Sequence, residues 1–382
     1  MAVKTIQSQQ MITSVAPSFK LHKVLSSLVV NGVLILICLI WVIPALGILV
    51  TSFRDSQDIF TSGWWTVFPH KDYVASGEIH VDPNADLNGP IAIQGVPNKY
   101  TFEQLREGVR LSDGRKLTWY GNKRTRLVKV SALQWVGFST RLTLKNYQDV
   151  LSNASVNYKD ANGNTIVRQG DNLWGAFLNS IAVTVPATII PILIAAFAAF
   201  GFAWIKFPGR KTLFSIVVVL LVVPLQIALI PIVQDYTKLN LNGTFLGIWL
   251  AHTGFGLPLA VYLLFNYINQ LPRDLLESAF IDGASNFTMF IHLILPLSVP
   301  ALASFAIFQF MWVWNDYLVS LVLLGNKHLV MTVALANMVG EKGQDWQLLT
   351  SGAFLSMLLP MTVFFALQKY FVRGMMAGSI KG

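Results

Sequence analysis

Charge is scarce in this sequence. Of its 382 residues only 12% are Asp, Glu, Lys or Arg, about half the share of a soluble globular protein. Cysteine is scarcer still. Cys38 is the only one, which excludes an internal disulfide and leaves no second thiolate for a metal site. There is no G-x-x-x-x-G-K-[ST] sequence, so no P-loop for ATP, and the nearest approach, "SDGRKLT", lacks the first glycine. Also missing are H-E-x-x-H, C-x-x-C and G-x-S-x-G. The six histidines are scattered. These absences argue against catalysis, a resident cofactor or a metal centre. What is plentiful is apolar: 54% of the residues are hydrophobic. That excludes disorder, a coiled coil and a disulfide scaffold, and it argues against a soluble enzyme. The expected class is a mainly α, polytopic membrane protein.

Six apolar runs are long enough to cross a bilayer, which takes about 20 helical residues. They lie at about 25–50, 173–205, 213–233, 245–268, 297–323 and 348–371. Pro44, Pro186, Pro191, Pro224, Pro258 and Pro360 fall inside them. In water they would argue against helix; in a bundle, neighbouring helices re-satisfy the freed carbonyls. The first run is too long for a signal peptide and no small-x-small site follows it, so it reads as an uncleaved first membrane helix. The net charge is +9. In a soluble protein that surplus would suggest nucleic acid; here it collects beside the apolar runs, and no nucleic-acid partner is expected. One set of flanks holds ten bases: Lys4, Lys20, Lys23, Lys206, Arg210, Lys211, Arg273, Lys369, Arg373 and Lys381. The opposite short loops hold three, Lys238, Lys327 and Lys342. The positive-inside rule then places both termini in the cytoplasm.

The chain divides into residues 1–53 (N-terminus and first helix), 54–171 (an extracytoplasmic insertion) and 172–382 (helices two to six with a cytoplasmic tail). The insertion carries fifteen bases, twelve acids and no spanning run. Turn signals such as "DPNADLNGP" and "YGNKR" separate the short pieces "GEIHV", "KLTWY" and "LVKVSALQWVGF", which read as strands of a small β-rich domain centred on about 70–140. It either helps dock a partner or gate the outer mouth, or it is a stabilising cap on the assembly.

The most informative stretch is 269–296, within "NQLPRDLLESAFIDGASNFTMFIHLILPLSVPAL". Pro272 suits a first helical position. Leu271, Leu275, Leu276, Ala279 and Phe280 share a face, and Arg273, Glu277 and Ser278 are polar. Gly283 can take the left-handed conformation that ends a helix. Phe287 and Phe290 begin a second amphipathic helix. A short helical hairpin at a membrane surface is a docking knob for a partner.

This segment resembles the EAA loop of permease subunits of bacterial ABC importers: E-A-A, three residues, G, nine residues, I-x-L-P. Glu277, Ser278 and Ala279 match with Ser for the middle Ala. Gly283 has the family spacing, and Leu293, Leu295 and Pro296 match with Leu for Ile. "SGWWTVFP", "LTLKNYQDVL", "WVWNDYLVSL" (312–321) and the tail "YFVRGMMAGSIKG" (370–382) resemble the carbohydrate-uptake branch, in particular the second permease of maltose-type importers. The insertion resembles that of rhizobial α-glucoside importers.

The resemblance implies a heterodimer with a second permease, two ATPase subunits that supply ATP and Mg, and a periplasmic sugar-binding protein, all at the inner membrane. This chain would itself be no enzyme. Glu277, Ser278, Ala279, Asp282 and Gly283 would couple it to the ATPase, with Asp282 capping the turn. Gly374 and Gly378 in the tail would enter the ATPase interface. Glu277 read alone is better taken as a solvated face; the motif around it favours docking. Trp312, Asn315, Asp316 and Tyr317 are the candidate substrate path. The aromatic residues fit sugar stacking or an outer aromatic belt. Asp316, the one acid within a span, fits substrate contact or an interhelical hydrogen bond. His252, Gln226, Gln309 and Asn266 read as interhelical glue. The rival class is an ion-coupled secondary transporter, which would need more buried acids and bases than Asp316.

Overall fold

The computed structural model describes residues 18–139, 141–152, 156–159, 165–168, 172–341 and 346–376. The chain begins with helix α1, Ser18–Ser52. Its apolar side chains are bare on every side: Val33, Leu36, Leu39 and Ile40 are all about half exposed. A helix apolar all round belongs in lipid. Its span, Val24–Ser52, has 29 residues, about 43 Å of helix, more than the roughly 30 Å hydrocarbon core.

The insertion follows. Helix α2 (Ser56–Thr61) and a 3-10 turn (Trp64–Val67) lead into strand β1 (His70–His80), then α3 (Phe102–Glu107), β2 (Val109–Arg110), β3 (Lys116–Tyr120), β4 (Leu127–Val136), α4 (Lys145–Leu151) and the hairpin of β5 (Val156–Lys159) with β6 (Thr165–Arg168). The first four strands form one antiparallel sheet in the order β1-β4-β3-β2. Alternation puts Leu117, Trp119, Val128 and Val130 on one face, and they close over Leu105 and Ile91 as a separate small core. Thr101 and Gln104 form a capping box that starts α3. The expected β-rich domain is therefore present, between the first helix and the rest of the bundle.

The bundle comprises α5 (Leu173–Ala203), α6 (Arg210–Leu220), α7 (Leu225–Lys238), α8 (Phe245–Ile268), α9 (Arg273–Ile281), α10 (Asn286–Met289), a π turn (Phe290–Ile294), α11 (Leu295–Trp314), α12 (Leu318–Leu324), α13 (Met331–Glu341) and α14 (Trp346–Met376). Among the described residues five helices are long and apolar enough to cross a membrane, and α6 with α7 makes a sixth only as a pair bent by 100°. This revises the run at 213–233, expected as one span. Pro224 explains the break. It has no N–H to continue the α6 ladder and sits at the start of α7 with φ −65°. Pro186, Pro191, Pro258 and Pro360 stay inside helices. The run at 297–323 is also divided, at Trp314, with α12 a separate short helix.

Among the helices, α5 and α8 pack together most extensively. Ala195, Ala196 and Ala199 meet Ala260, Val261 and Leu264, and small residues let two helix backbones approach. Polar side chains bridge elements. Trp249 Nε1 donates to Ala182 O at 2.9 Å, Trp314 Nε1 to Ser356 O at 3.0 Å, and Asn179 Nδ2 to Leu329 O at 2.9 Å. Asn146 fastens the insertion to the first helix, its amide donating to Ser52 O at 2.9 Å and Arg54 O at 2.8 Å. Ser351 Oγ of α14 donates to the same Ser52 carbonyl at 3.0 Å. Three segments far apart in sequence thus meet at the end of α1.

Candidate functional site

The hairpin of α9 and α10 has one side built in and one side free. Leu276, Phe290 and Ile294 are buried against Ala196, Ala199 and Phe200 of α5. Phe290 stacks on Phe197 with 4.1 Å between centroids. On the other side Phe280 is 67% exposed and Ile281 83%; Phe287 is exposed too, but its ring stacks on Phe197 of α5 with 6.5 Å between centroids. Exposed apolar side chains on a rigid mount mark an interaction surface.

The turn is a Schellman motif. Gly283 N–H donates to Phe280 O at 3.1 Å and Ala284 N–H to Ala279 O at 3.0 Å, as required by a left-handed residue at the first position past the cap. Gly283 supplies it with φ +81°, and Asp282 is the C-cap. Ser285 starts the second helix, its Oγ accepting from Thr288 N–H at 3.1 Å. Glu277 is exposed, with no hydrogen-bond or ion-pair partner among the described residues. Ser278 is also exposed and donates within its own helix, to Leu275 O at 3.1 Å, while Ala279 is half-buried. Gly374 lies in the last turns of α14; Gly378 lies outside the described residues.

The second region lies between α8, α11 and α12. The Asp316 carboxylate accepts from Ser320 N–H at 2.9 Å, Ser320 Oγ at 3.1 Å and Val319 N–H at 3.3 Å. It therefore holds the first turn of α12, a capping role that the sequence reading did not assign. Its backbone oxygen accepts from Thr332 Oγ1 at 2.6 Å. The remaining approach to the carboxylate is from His252 Nε2, at 3.9 Å. His252 is fully buried and Trp312 meets its ring edge-on at 5.7 Å. Gln309 lies beside it, Nε2 donating to Ala187 O at 3.2 Å and His252 O at 3.5 Å, which makes it the interhelical tie expected of it.

Trp312 and Gln309 line a cleft of about 510 Å³ between the bent α6–α7 pair and α8, with Tyr236, Gly254 and Phe255. That volume is in the range of small-molecule sites. Of the four path residues, Trp312 faces this cleft and Asp316 stands behind it across His252. Asn315 lines a different cleft, with Met311 and Ser356, and donates to Met311 O at 2.7 Å. Tyr317 is 43% exposed. The sequence reading missed Tyr236, whose approach depends on the break at Pro224. Among the described residues, no group of three or more His, Cys, Asp or Glu is placed to hold a metal ion.

Residues 187–377 match the family described as "Binding-protein-dependent transport system inner membrane component". The chain is 45% identical over 347 residues to the osmoprotective compounds uptake permease protein GgtD of Synechocystis sp., covering 90% of this chain and 89% of the relative. It is 43% identical over 379 residues to the alpha-glucoside transport system permease protein AglG of Rhizobium meliloti, covering 91% and 95%. Among solved structures, a bacterial ABC transporter that imports the acidic polysaccharide alginate aligns over 93% of this chain and 98% of its own, with a TM-score of 0.57 and 15% identity. That likeness is one of fold.

Proposed function

Because this chain belongs to the inner-membrane components of binding-protein-dependent transport systems, we propose that it is the permease subunit of an importer for an oligosaccharide of the α-glucoside class. It pairs with a second permease. It receives substrate from an extracytoplasmic binding protein and takes its driving force from ATPase subunits that hold ATP and Mg. Both termini lie in the cytoplasm, which agrees with the ten-to-three distribution of bases.

The carrying observation is the α9–α10 hairpin, fixed to α5 on one side and presenting Phe280 and Ile281 on the other. That is the geometry of a lever. A partner that grips the free side moves α5 and α8 with it, because Phe290 and Leu276 are packed into the helix core. Ala279 lies at the edge of the gripped face. Glu277 and Ser278 provide polar contacts beside the apolar grip, the Asp282–Gly283 turn fixes the angle between the two short helices, and Gly374 and Gly378 enter the ATPase interface from the tail.

For the substrate, the identity to the alpha-glucoside permease across both bundle and insertion supports the sugar class. The Trp312 indole in the cleft is a stacking surface for a pyranose ring, and the Gln309 amide is a hydrogen-bonding group beside it. A second reading, an osmoprotective compound, is favoured by the relation to GgtD. Uptake of radiolabelled maltose beside radiolabelled glycine betaine, by the complete transporter with and without osmotic stress, separates the two. Betaine uptake without maltose uptake would refute the sugar assignment.

A further inference from the structure

Where α1 runs into the sheet, and where β4 leaves it again, large aromatic side chains face outward. Trp65 is 61% exposed, Trp135 71% and Phe138 69%. The rings run together. Trp64 meets Trp65 and Phe68 at centroid distances of 6.2 and 6.4 Å, and Phe68 meets Phe138 at 6.3 Å. The backbone binds them into one stem: Ser139 N–H donates to Val67 O at 2.9 Å and Thr143 N–H to Phe53 O at 2.7 Å. A contiguous aromatic patch of this kind marks an interaction surface.

Its depth indicates what it meets. Trp64 lies against Gly47 of α1, so close that a Cβ there would come within 3.0 Å of the indole Nε1. Gly47 is five residues before the end of α1 at Ser52, about 7.5 Å back along the helix. The chain thus leaves α1, folds back beside it, and only then enters β1. The patch is continuous with the bare apolar surface of α1, which has the length and composition of a membrane span. Cations flank it. Lys71 Nζ sits 5.7 Å over the Trp135 ring, and Arg141 is exposed two residues beyond Ser139. Tryptophan with flanking Lys and Arg at the end of an apolar helix is the composition that a lipid headgroup zone selects.

We propose that this stem is bedded in the phospholipid headgroup zone at the C-terminal end of α1, with Trp65, Trp135 and Phe138 among the acyl-chain ends and Lys71 and Arg141 at the phosphates. The lipid surface then fixes how the β-domain stands on the bundle. The far end of the sheet is clear of lipid: Tyr120 pairs with Leu127, about 26 Å along β4 from Trp135.

The test uses the complete transporter in nanodiscs of phosphatidylcholine and phosphatidylglycerol, in a Cys38→Ser background. Trp65→Cys, Trp135→Cys, Phe138→Cys and Tyr120→Cys each receive a nitroxide, one at a time. The expected result is more collisions with oxygen and fewer with a water-soluble nickel chelate at 65, 135 and 138 than at 120. Nickel collisions equal to those at 120 would overturn the proposal. So would an immobilised label shielded from both reagents, which means a protein partner covers the patch. A label-free control guards against misfolded variants. Trp65→Phe and Trp135→Phe should each remove part of the tryptophan emission quenched by brominated lipid, and unchanged quenching contradicts lipid contact.

Discussion

Gly283 shows how one backbone angle can carry a function. Its φ of +81° is required by the turn, yet a Cβ added there meets nothing within 4 Å. Gly283→Ala therefore incurs left-handed backbone strain alone, about 1–2 kcal/mol, with no steric clash. The expected outcome is a protein that inserts and melts near the wild-type temperature while uptake per ATP hydrolysed falls; the ratio of the two rates in proteoliposomes checks it. Asn146 is the opposite case, structural and remote from the hairpin. Its amide supplies two donors to buried carbonyls at the end of α1. Asn146→Ala removes the amide donor to Arg54 O and one of the two donors to Ser52 O, which keeps Ser351 Oγ; at about 1–3 kcal/mol it should lower the melting temperature of the detergent-solubilised complex. Tyr147 beside it shares a 2.6 Å hydrogen bond with Ser52 Oγ, and burial pushes its phenol pKa up. The "KNYQDVL" stretch, legible in the sequence only as a family likeness, thus has a physical role as the clasp between insertion and bundle. Asp316 divides the same way. As the cap of α12 it should tolerate Asp316→Asn, which keeps an oxygen acceptor for Ser320 N–H and retains both expression and uptake, whereas Asp316→Ala loses stability by about 1 kcal/mol. Loss of uptake in the Asn variant, with expression intact, would mean that the charge itself is used.

At the scale of elements, periodicity and run length gave the helices but not their interruptions. The run at 245–268 is α8 residue for residue. The run at 213–233 hid a 100° bend, because hydropathy sums side chains and does not register a missing N–H at Pro224. The strands "KLTWY" and most of "LVKVSALQWVGF" were legible from alternation and match β3 and β4. β2, two residues long, and α3 carried too little pattern to be seen. The turn of the hairpin was fully legible: Gly283, its spacing and the cap at Asp282 stand where the residue types require. What sequence could not supply was which side of α9 is anchored. Leu275 and Phe280 were placed on the apolar face with Leu276, but Leu276 is buried while the other two are exposed, and that difference comes from packing against α5. Packing also yields a prediction for the three-helix contact. Gln309 ties α11 to α5 and α8, and a Cβ on Gly256 would lie 2.6 Å from its amide. Gly256→Val should force the amide out and destabilise the complex by about 1–3 kcal/mol, read as a lower melting temperature, with Gln309→Ala as second substitution relieving part of the loss.

On the scale of the molecule, three parts with different solvents are joined at one place. α1 is apolar and bare over most of its length, the β-domain has a small buried core of its own, and the bundle has the packed helices that a moving pathway needs. Ser52, Arg54 and Asn146 hold the three together, and the hairpin of α9 and α10 is the handle at the other end of the α5–α8 pair. The central claim is that this handle is gripped by an ATPase. The most direct measurement is affinity purification of the chain from native membranes, wild type beside Glu277→Lys, with mass-spectrometric identification of what accompanies each. The account predicts that a second permease and a P-loop ATPase accompany the wild type, and that charge reversal at Glu277 depletes the ATPase while the second permease stays. A chain that comes out alone, or an ATPase retained in full by the variant, would contradict it.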